Sequence, residues 1–319
     1  MPGAYTHLAI VALLTAGNEL GRIGLGSEAK LALMDYPEFC SMGAISPDYP
    51  YLQLTGDSAS AEHWANAMHH KYGTLTAGNI LHVGIEGLRA ASGEARSMGF
   101  AWLMGYASHV TADVTCHPMT NLLVGDYEAD NQTPHRVSEL NQDVYIFHSR
   151  LGRDVRKAEH IKNVVGSCSE PGNPRKAHPY IVGLWSEMLK RTFPGIHGRF
   201  PVNIHGWHNA VQAWLDNVAE ELSFIPSRHI RKYLSDSGLA YPRLNEVNRK
   251  YIDALATPGG VMTFDQVFDM ALANVGRVWK TMGDAVYGGT DDYMKSLGIW
   301  NLDTGQEVRG PKVMWEDAV

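Results

Sequence analysis

Apolar residues recur at the three- and four-residue spacing of amphipathic helices along most of this 319-residue chain. The segments with this pattern are residues 4–17, 58–71, 77–91, 95–121, 134–149, 177–191, 206–224 and 263–285. Stretches rich in Gly, Pro, Asp and Asn separate them and are predicted as loops at residues 37–57, 122–133, 167–177 and 257–262. The sequence has no alternating strand pattern of useful length. It therefore predicts a mostly α-helical protein.

One predicted helix carries polar groups at regular intervals within an apolar stretch. In GYASHVTADVTCHP, His109, Asp113 and His117 follow one another at steps of four residues. Four residues turn an α-helix by about 400°, so the three side chains lie along one face. Burying them without partners would be costly. We therefore expect this face either to meet water or to bind a ligand.

A second predicted helix repeats the spacing. In HRVSELNQD, His135, Glu139 and Asp143 again step by four. One such row fits a helix-surface hydrogen bond, but two rows in one chain indicate a metal site. Imidazole nitrogen and carboxylate oxygen are suitable zinc ligands, and iron or manganese would also accept them. Asp143 is either a hydrogen-bond acceptor that orients a ligating imidazole or a solvated carboxylate.

Composition narrows the class of protein. The length and the 45% content of hydrophobic residues allow a single large core, and we expect one domain over residues 1–319. The formal net charge of −7 disfavours, without excluding, a nucleic-acid partner. Three widely spaced cysteines indicate a reducing compartment. No signal-like start or membrane-length apolar stretch is seen, so the expected location is cytoplasmic.

The order of short motifs resembles the zinc-dependent phospholipase C family. THLAI comes first, followed by GAISPDYPY, a histidine-bearing helix, GYASHVTADVTCHP and HRVSELNQD, all within about residues 1–150. That family includes bacterial phospholipase C, the N-terminal domain of glycosylphosphatidylinositol-specific phospholipase D and, more remotely, single-strand-specific fungal nucleases. The resemblance implies an all-α, multi-helix bundle that holds zinc. Residues 151–319 would then supply substrate-specific or packing structure, with a packed or trailing tail at NLDTGQEVRGPKVMWEDAV.

The resemblance also implies a ligand set. One metal would be held by Asp48 of SPDYP, His109 and Asp113, with Asp113 bridging to a second. The ligands of that second metal would be His117, His135 and Glu139. His7 corresponds to an early histidine that helps to hold a third metal in the bacterial enzymes. There an N-terminal Trp completes the third site, whereas this chain begins Met-Pro, so either two or three zinc ions are expected.

One further ligand stays open among the histidines of AEHWANAMHHKYGT. His69 is preferred because its position before a polar turn and the next helix fits the pattern of the resembling family best. His63 is the alternative, and His70 is expected to pack or to face solvent. Asp48 is expected to act both as a ligand and as the general base, because its motif brings it from a loop to the metals.

Together these features predict a metal-dependent hydrolase that cleaves a phosphodiester in the manner of phospholipase C. The expected substrate is a small or lipid-like phosphodiester, and the oligomeric state stays open. One alternative is a metalloenzyme on the same scaffold that performs non-phosphate chemistry in specialised metabolism. Another is a single-strand nuclease, which would need aromatic stacking platforms beside the metals.

Overall fold

The computed structural model describes residues 3–53, 56–69, 79–126, 131–155, 160–221, 240–307 and 314–315. Within these ranges helices dominate, and the predicted all-α class is confirmed. The helices are α1 (Ala4–Thr15), α2 (Glu19–Arg22), α3 (Ser27–Asp35), α4 (Pro37–Ile45), α5 (Ser58–Met68), α6 (Ile80–Ala90), α7 (Gly93–Val124), α8 (Gln132–Leu151), α9 (His160–Ser167), α10 (Pro179–Thr192), α11 (Pro194–His197), α12 (Ile204–Glu221), α13 (Phe264–Gly288) and α14 (Tyr293–Ser296). Short 3-10 helices cover Ser46–Leu52, Leu244–Glu246 and Arg249–Tyr251.

Strands are confined, in the described ranges, to three antiparallel pairs. They are β1 (Ser169–Glu170) with β2 (Asn173–Ala177), β3 (Leu255–Thr257) with β4 (Gly260–Met262), and β5 (Trp300–Asn301) with β6 (Gln306–Glu307). The third pair aligns Trp300 with Glu307 and Asn301 with Gln306. Strands of this length make local turns and add no layer to the fold.

The predicted loop over residues 37–57 is wrong for most of its length. Residues Pro37–Ile45 form α4, and the 3-10 helix Ser46–Leu52 follows it directly. Pro37 occupies the first turn of α4, where a missing N–H costs nothing and the fixed φ favours the helix. Proline in this segment therefore marks the start of a helix, not a break in the chain.

Helix α7 runs through the centre of the molecule. Every residue from Met98 to Thr120 is buried, so the helix has no solvent face over this stretch. α7 packs against α4 and α13, with the Trp279 indole of α13 donating to the Met104 carbonyl at 2.9 Å. The face that carries His109 and Asp113 is therefore inside the protein. Among the described helices none is long and apolar enough to cross a membrane.

Candidate metal centre

Five of the predicted site residues meet at one point in the interior. His7 comes from α1, Asp48 from the 3-10 helix after α4, and His69 from the residue that ends α5. His109 and Asp113 come from successive turns of α7. Four separate segments thus contribute one or two side chains each, and the centre forms only when the fold brings them together.

Asp113 lies at the middle of this cluster. Its Oδ1 is 3.2 Å from His7 Nε2, and its Oδ2 is 3.3 Å from His109 Nε2 and 3.7 Å from His69 Nε2. Ligands around a tetrahedral zinc ion, each about 2.0–2.2 Å from the metal, lie roughly 3.3–3.5 Å from one another. The measured distances of 3.2–3.7 Å bracket this range, so these atoms are close enough to share a metal ion. The His7 ring also stacks on the His109 ring with centroids 4.1 Å apart.

Asp48 lies on the solvent-exposed side of the cluster. Its Oδ1 lies 3.4 Å from His69 Nε2 and 3.8 Å from His109 Nε2. The Asp48 side chain keeps 22% of its surface exposed, whereas the side chains of His69 and His109 are fully buried. Access to the cluster from solvent is therefore next to Asp48.

The ligand atoms of the cluster have no hydrogen-bond partner among the described residues. They are His7 Nε2, Asp48 Oδ1, His69 Nε2, His109 Nε2 and both carboxylate oxygens of Asp113. Buried polar atoms are normally paired, because an unpaired one costs about 1–3 kcal/mol. Two overlapping triads, His7–His109–Asp113 and Asp48–His69–His109, have their ligand atoms within 4.8 Å of one another. These residues fit a zinc ion, which would use the otherwise unpaired lone pairs.

Backbone carbonyls fix the orientation of two histidine rings in the cluster. His69 Nδ1 donates to the Ala65 carbonyl at 2.8 Å, and His109 Nδ1 donates to the Ala44 carbonyl at 2.9 Å. A carbonyl can only accept, so in both rings Nδ1 carries a proton and Nε2 is the nitrogen that faces the cluster. This arrangement of a ligand histidine held from behind is typical of protein metal sites.

The electrostatics favour a cation at this point. Burial opposes ionisation of Asp113, but the imidazoles of His109 and His117 more than offset it and hold the pKa of Asp113 well below its usual value. Burial lowers the pKa of His7, which therefore stays neutral. The pKa of His109 rises to about 9 against the effect of burial, because Asp113 and Asp48 attract its proton. Without a metal, His109 thus supplies the positive charge that the carboxylates require.

Asp143 holds the helix that carries His7. Its carboxylate accepts from the backbone N–H of Thr6 at 2.8 Å, the Thr6 hydroxyl at 2.6 Å, the Tyr5 N–H at 3.1 Å and the Tyr241 hydroxyl at 3.1 Å. A Cβ at Gly3 would lie 2.2 Å from Asp143 Oδ2, so only glycine fits there. Asp143 therefore binds the N-terminus of α1 and positions His7 through that helix, not by contact with an imidazole.

The remaining predicted ligands, His117, His135 and Glu139, are not part of the two triads. His117 is buried, and its Nδ1 donates to the Leu302 carbonyl, which leaves Nε2 with no hydrogen-bond partner among the described residues. His135 Nε2 donates to the Gly125 carbonyl at 2.7 Å, so this ring would bind a metal through Nδ1. Burial raises the pKa of Glu139. The structure thus brings five of the eight predicted ligands together in the two triads, and the other three are not among them.

The structure separates the alternative histidines by position. His69 lies beside Asp48, whereas His63 stacks on Phe200 with ring centroids 4.1 Å apart. His70 lies outside the described residues. Tyr51 approaches the cluster from the solvent side, with its ring 5.4 Å from the His69 ring.

An all-α fold that gathers three histidines and two carboxylates around one buried point defines a helical protein with a candidate metal centre. A sequence model of the family described as zinc dependent phospholipase C matches residues 6–195, more than half of the chain. The chain therefore belongs to the zinc-dependent phospholipase C family, which confirms the predicted resemblance. The match continues well beyond residue 150 and ends within α11. No curated protein and no solved structure matches the chain.

Sequence reasoning missed the backbone groups that orient the site. The carbonyls of Ala44, Ala65 and Leu302 each hold one histidine, and nothing in the side chains of these residues indicates that role. Gly3 has an indirect signal, because it precedes the first predicted helix. Tyr51 lies near Asp48 in the sequence and is expected either to line a substrate pocket or to pack in the core. Neither signal distinguishes a site residue from an ordinary turn or core residue.

Proposed function

We propose that this protein is a zinc-dependent hydrolase of phosphodiesters that acts in the manner of phospholipase C. The observation that carries the proposal is the set of buried, mutually facing ligand atoms of His7, Asp48, His69, His109 and Asp113, which lack hydrogen-bond partners among the described residues. Membership of the zinc-dependent phospholipase C family supports both the metal and the type of reaction.

Zinc would be held by these five residues, and His117, His135 and Glu139 would complete a centre of two or three ions. Bound zinc lowers the pKa of a coordinated water and stabilises charge on phosphoryl and leaving-group oxygens. The protein orients His69 and His109 through the backbone carbonyls behind them. It keeps Asp113 ionised between three imidazoles.

Asp48 is proposed as the general base. It is the only one of the five clustered ligands with measurable side-chain exposure in the described structure, so a water molecule and a substrate arriving from solvent reach it first. His109 and His69 lower its pKa against the effect of burial, which keeps the carboxylate ready to accept a proton. The water would transfer that proton to Asp48 as its oxygen attacks phosphorus, and the alkoxide of the cleaved ester would depart.

Tyr51 is proposed to line the substrate-binding side of the centre. It is partly exposed and contacts the His69 ring, whereas the neighbouring Tyr49 is almost completely buried among core aromatics. A ring at this place would contact the organic group on one side of the phosphodiester. A lipid-like diester and a small soluble diester share the phosphoryl chemistry that the centre recognises.

The experiment combines metal analysis with hydrolysis assays. Protein purified without added metal is expected to contain two or three zinc ions per chain and to hydrolyse bis(4-nitrophenyl) phosphate, micellar phosphatidylcholine, or both. A chelator should abolish the activity and zinc should restore it. Asp48→Asn is expected to lower kcat by about 100-fold or more, the range of a general base. Glu86→Gln, on an exposed part of α6, serves as the matched control.

The outcomes separate the proposal from its alternatives. Zinc-loaded protein that hydrolyses neither diester would contradict the proposed reaction. Iron or manganese in the purified protein would indicate non-phosphate chemistry on this scaffold. Cleavage of single-stranded DNA with neither diester hydrolysed would assign the centre to a nuclease.

A further inference from the structure

The hairpin formed by β5 and β6, residues 300–307, lies against α7 beside the metal cluster; we call it the C-terminal hairpin. Leu302, at the start of its turn, is fully buried. The Leu302 N–H donates to the His69 carbonyl at 3.2 Å, and the Leu302 carbonyl accepts from His117 Nδ1. The peptide groups of one residue therefore connect two of the predicted ligands, which come from different segments.

An irregularity in α7 provides the place where the C-terminal hairpin docks. Pro118 follows His117 and has no N–H, so the Val114 carbonyl loses its donor within the helix. Gly305 packs directly on this spot: a Cβ there would lie 2.5 Å from the Val114 oxygen and 2.4 Å from Pro118 Cγ. One turn further along α7, Asn121 Nδ2 donates to the Asp303 carbonyl at 2.7 Å.

The turn of the hairpin is shaped by its own sequence. The side-chain oxygen of Asn301 accepts from the N–H groups of Asp303 and Thr304 at 2.9 and 3.1 Å. Gly305 adopts a φ of +68°, which strongly favours glycine, and its N–H returns to the Asn301 carbonyl at 3.0 Å. The turn that directs the Leu302 carbonyl at His117 is therefore held by hydrogen bonds within its own sequence.

We propose that the C-terminal hairpin contributes to the metal centre: its residue Leu302 positions His117 and His69 for metal binding. The hydrogen bond to the Leu302 carbonyl keeps the proton of His117 on Nδ1 and leaves the Nε2 lone pair for the metal. The hairpin lies outside the residues that match the family, so this support belongs to the chain's own C-terminal region. The inference rests on the proposed zinc-dependent function and deepens it.

The test compares two glycine-to-alanine variants. Both replace a residue with positive φ, but the new Cβ atoms meet different surroundings. Gly305→Ala strains a left-handed residue and also drives a Cβ into α7. Gly172→Ala imposes a similar strain, at φ +80°, in the turn between β1 and β2, where nothing lies within 4 Å of the new Cβ. The full-length variants are titrated with zinc against a chelator of known affinity, and their thermal unfolding is recorded in the absence of metal.

Gly305→Ala is expected to bind zinc about 10- to 100-fold more weakly than wild type, as is usual when the groups behind metal ligands are disturbed. Gly172→Ala should keep wild-type affinity, although both variants unfold at lower temperature without metal. The visible spectrum of the cobalt-substituted protein should change in Gly305→Ala alone. A merely structural role for the hairpin would lower stability and leave affinity and spectrum unaltered.

A milder variant keeps the test decisive if Gly305→Ala does not fold. Asn121→Ala removes only the hydrogen bond to the Asp303 carbonyl, and a several-fold loss of zinc affinity is expected. Zinc uptake by wild type together with equal affinities in the hairpin variants and Gly172→Ala would overturn the role of the hairpin alone. Wild-type protein that takes up no zinc would overturn the proposed function and this inference together.

Discussion

At the scale of single residues, the environment of each histidine decides what it can do. His69 and His109 have one ring nitrogen fixed by a backbone carbonyl and the other directed at carboxylates. His208 is equally buried, but its Nε2 lies 3.0 Å from the hydroxyl of Ser169, and among the described residues no carboxylate raises its pKa. Burial therefore dominates at His208 and lowers its pKa to about 4.

His208 makes a testable contribution to the pH dependence of stability. Its pKa in the folded protein lies below the unfolded value of about 6.5, so acid protonates the unfolded chain first. The free energy of unfolding that depends on neutral His208 is intact above pH 6.5 and is lost as the pH falls toward 4. Between pH 8 and pH 5 this loss is about 2 kcal/mol. Urea unfolding of His208→Gln at both pH values should show that much less pH dependence than wild type.

His148→Gln is the control for this measurement, because His148 lies exposed near the end of α8. It should retain the wild-type pH dependence. Zinc and buffer are kept identical for all three proteins, so only differences between them are interpreted. A His208→Gln profile parallel to that of wild type would show that His208 is not held neutral by burial.

The sequence predicted the residues of the centre better than their surroundings. Steps of four on α7 place His109 and Asp113 on one face, and the structure brings their side chains within 3.3 Å. The same rule placed Glu139 and Asp143 on one face of α8, but it could not show that Asp143 binds the N-terminus of α1. Periodicity within one helix carries no information about which other helix comes near.

At the scale of helices, the approach of α4 to α7 fixes the back of the metal cluster. A Cβ at Gly105 would lie 1.8 Å from the Cys40 carbonyl, and one at Gly43 would lie 2.0 Å from the Trp102 carbonyl. Two glycines, one on each helix, therefore allow the backbones to touch. This contact brings the Ala44 carbonyl within hydrogen-bonding distance of His109.

Gly105→Ala should therefore lower both the free energy of unfolding and the affinity for zinc. Separating α4 from α7 is expected to cost about 1–3 kcal/mol of unfolding free energy, typical of overpacking in a core. It should also weaken zinc binding by about 10-fold or more, because the Ala44 carbonyl moves away from His109. Chemical unfolding and zinc titration measure the two effects.

Gly183→Ala on α10 is the matched control, since it also replaces a helical glycine but nothing lies within 4 Å of the new Cβ. This variant should be as stable as wild type or more stable by up to about 1 kcal/mol, with unchanged zinc affinity. Equal behaviour of the two variants would refute the close-packing role of Gly105.

Apolar spacing predicted the positions of the main helices. The segments that it predicted wrongly share one cause. The predicted helices over 95–121 and 263–285 correspond to α7 and α13, whose observed bounds are Gly93–Val124 and Phe264–Gly288. The segment Pro37–Ile45 was predicted as loop because Gly and Pro normally interrupt helices. Here proline occupies the first turn, and Gly43 serves a contact with another helix. Tertiary packing decides such positions.

At the scale of the whole molecule, the described core is shared between the two halves of the chain. Asn274 of α13 donates to the Thr115 hydroxyl at 3.0 Å, and the Trp315 indole donates to the Thr115 carbonyl at 3.0 Å. Both contacts are made with Thr115 on α7, which is two residues from Asp113 and two from His117. The later half of the chain therefore packs around the same helix that carries His109 and Asp113, and the single domain over residues 1–319 stays a prediction.

This arrangement predicts one unfolding transition for the entire chain. Without metal, calorimetry should show a single endotherm whose calorimetric and van't Hoff enthalpies agree. Zinc bound to the folded centre should move the whole transition upward, with about 4 kcal/mol of added stability when free zinc exceeds its Kd 1,000-fold. Two independent domains would instead give a zinc-sensitive transition and a second one that zinc leaves in place. Such a second transition would contradict the single domain, because α13 and Trp315 could not then unfold together with the α7 that they contact.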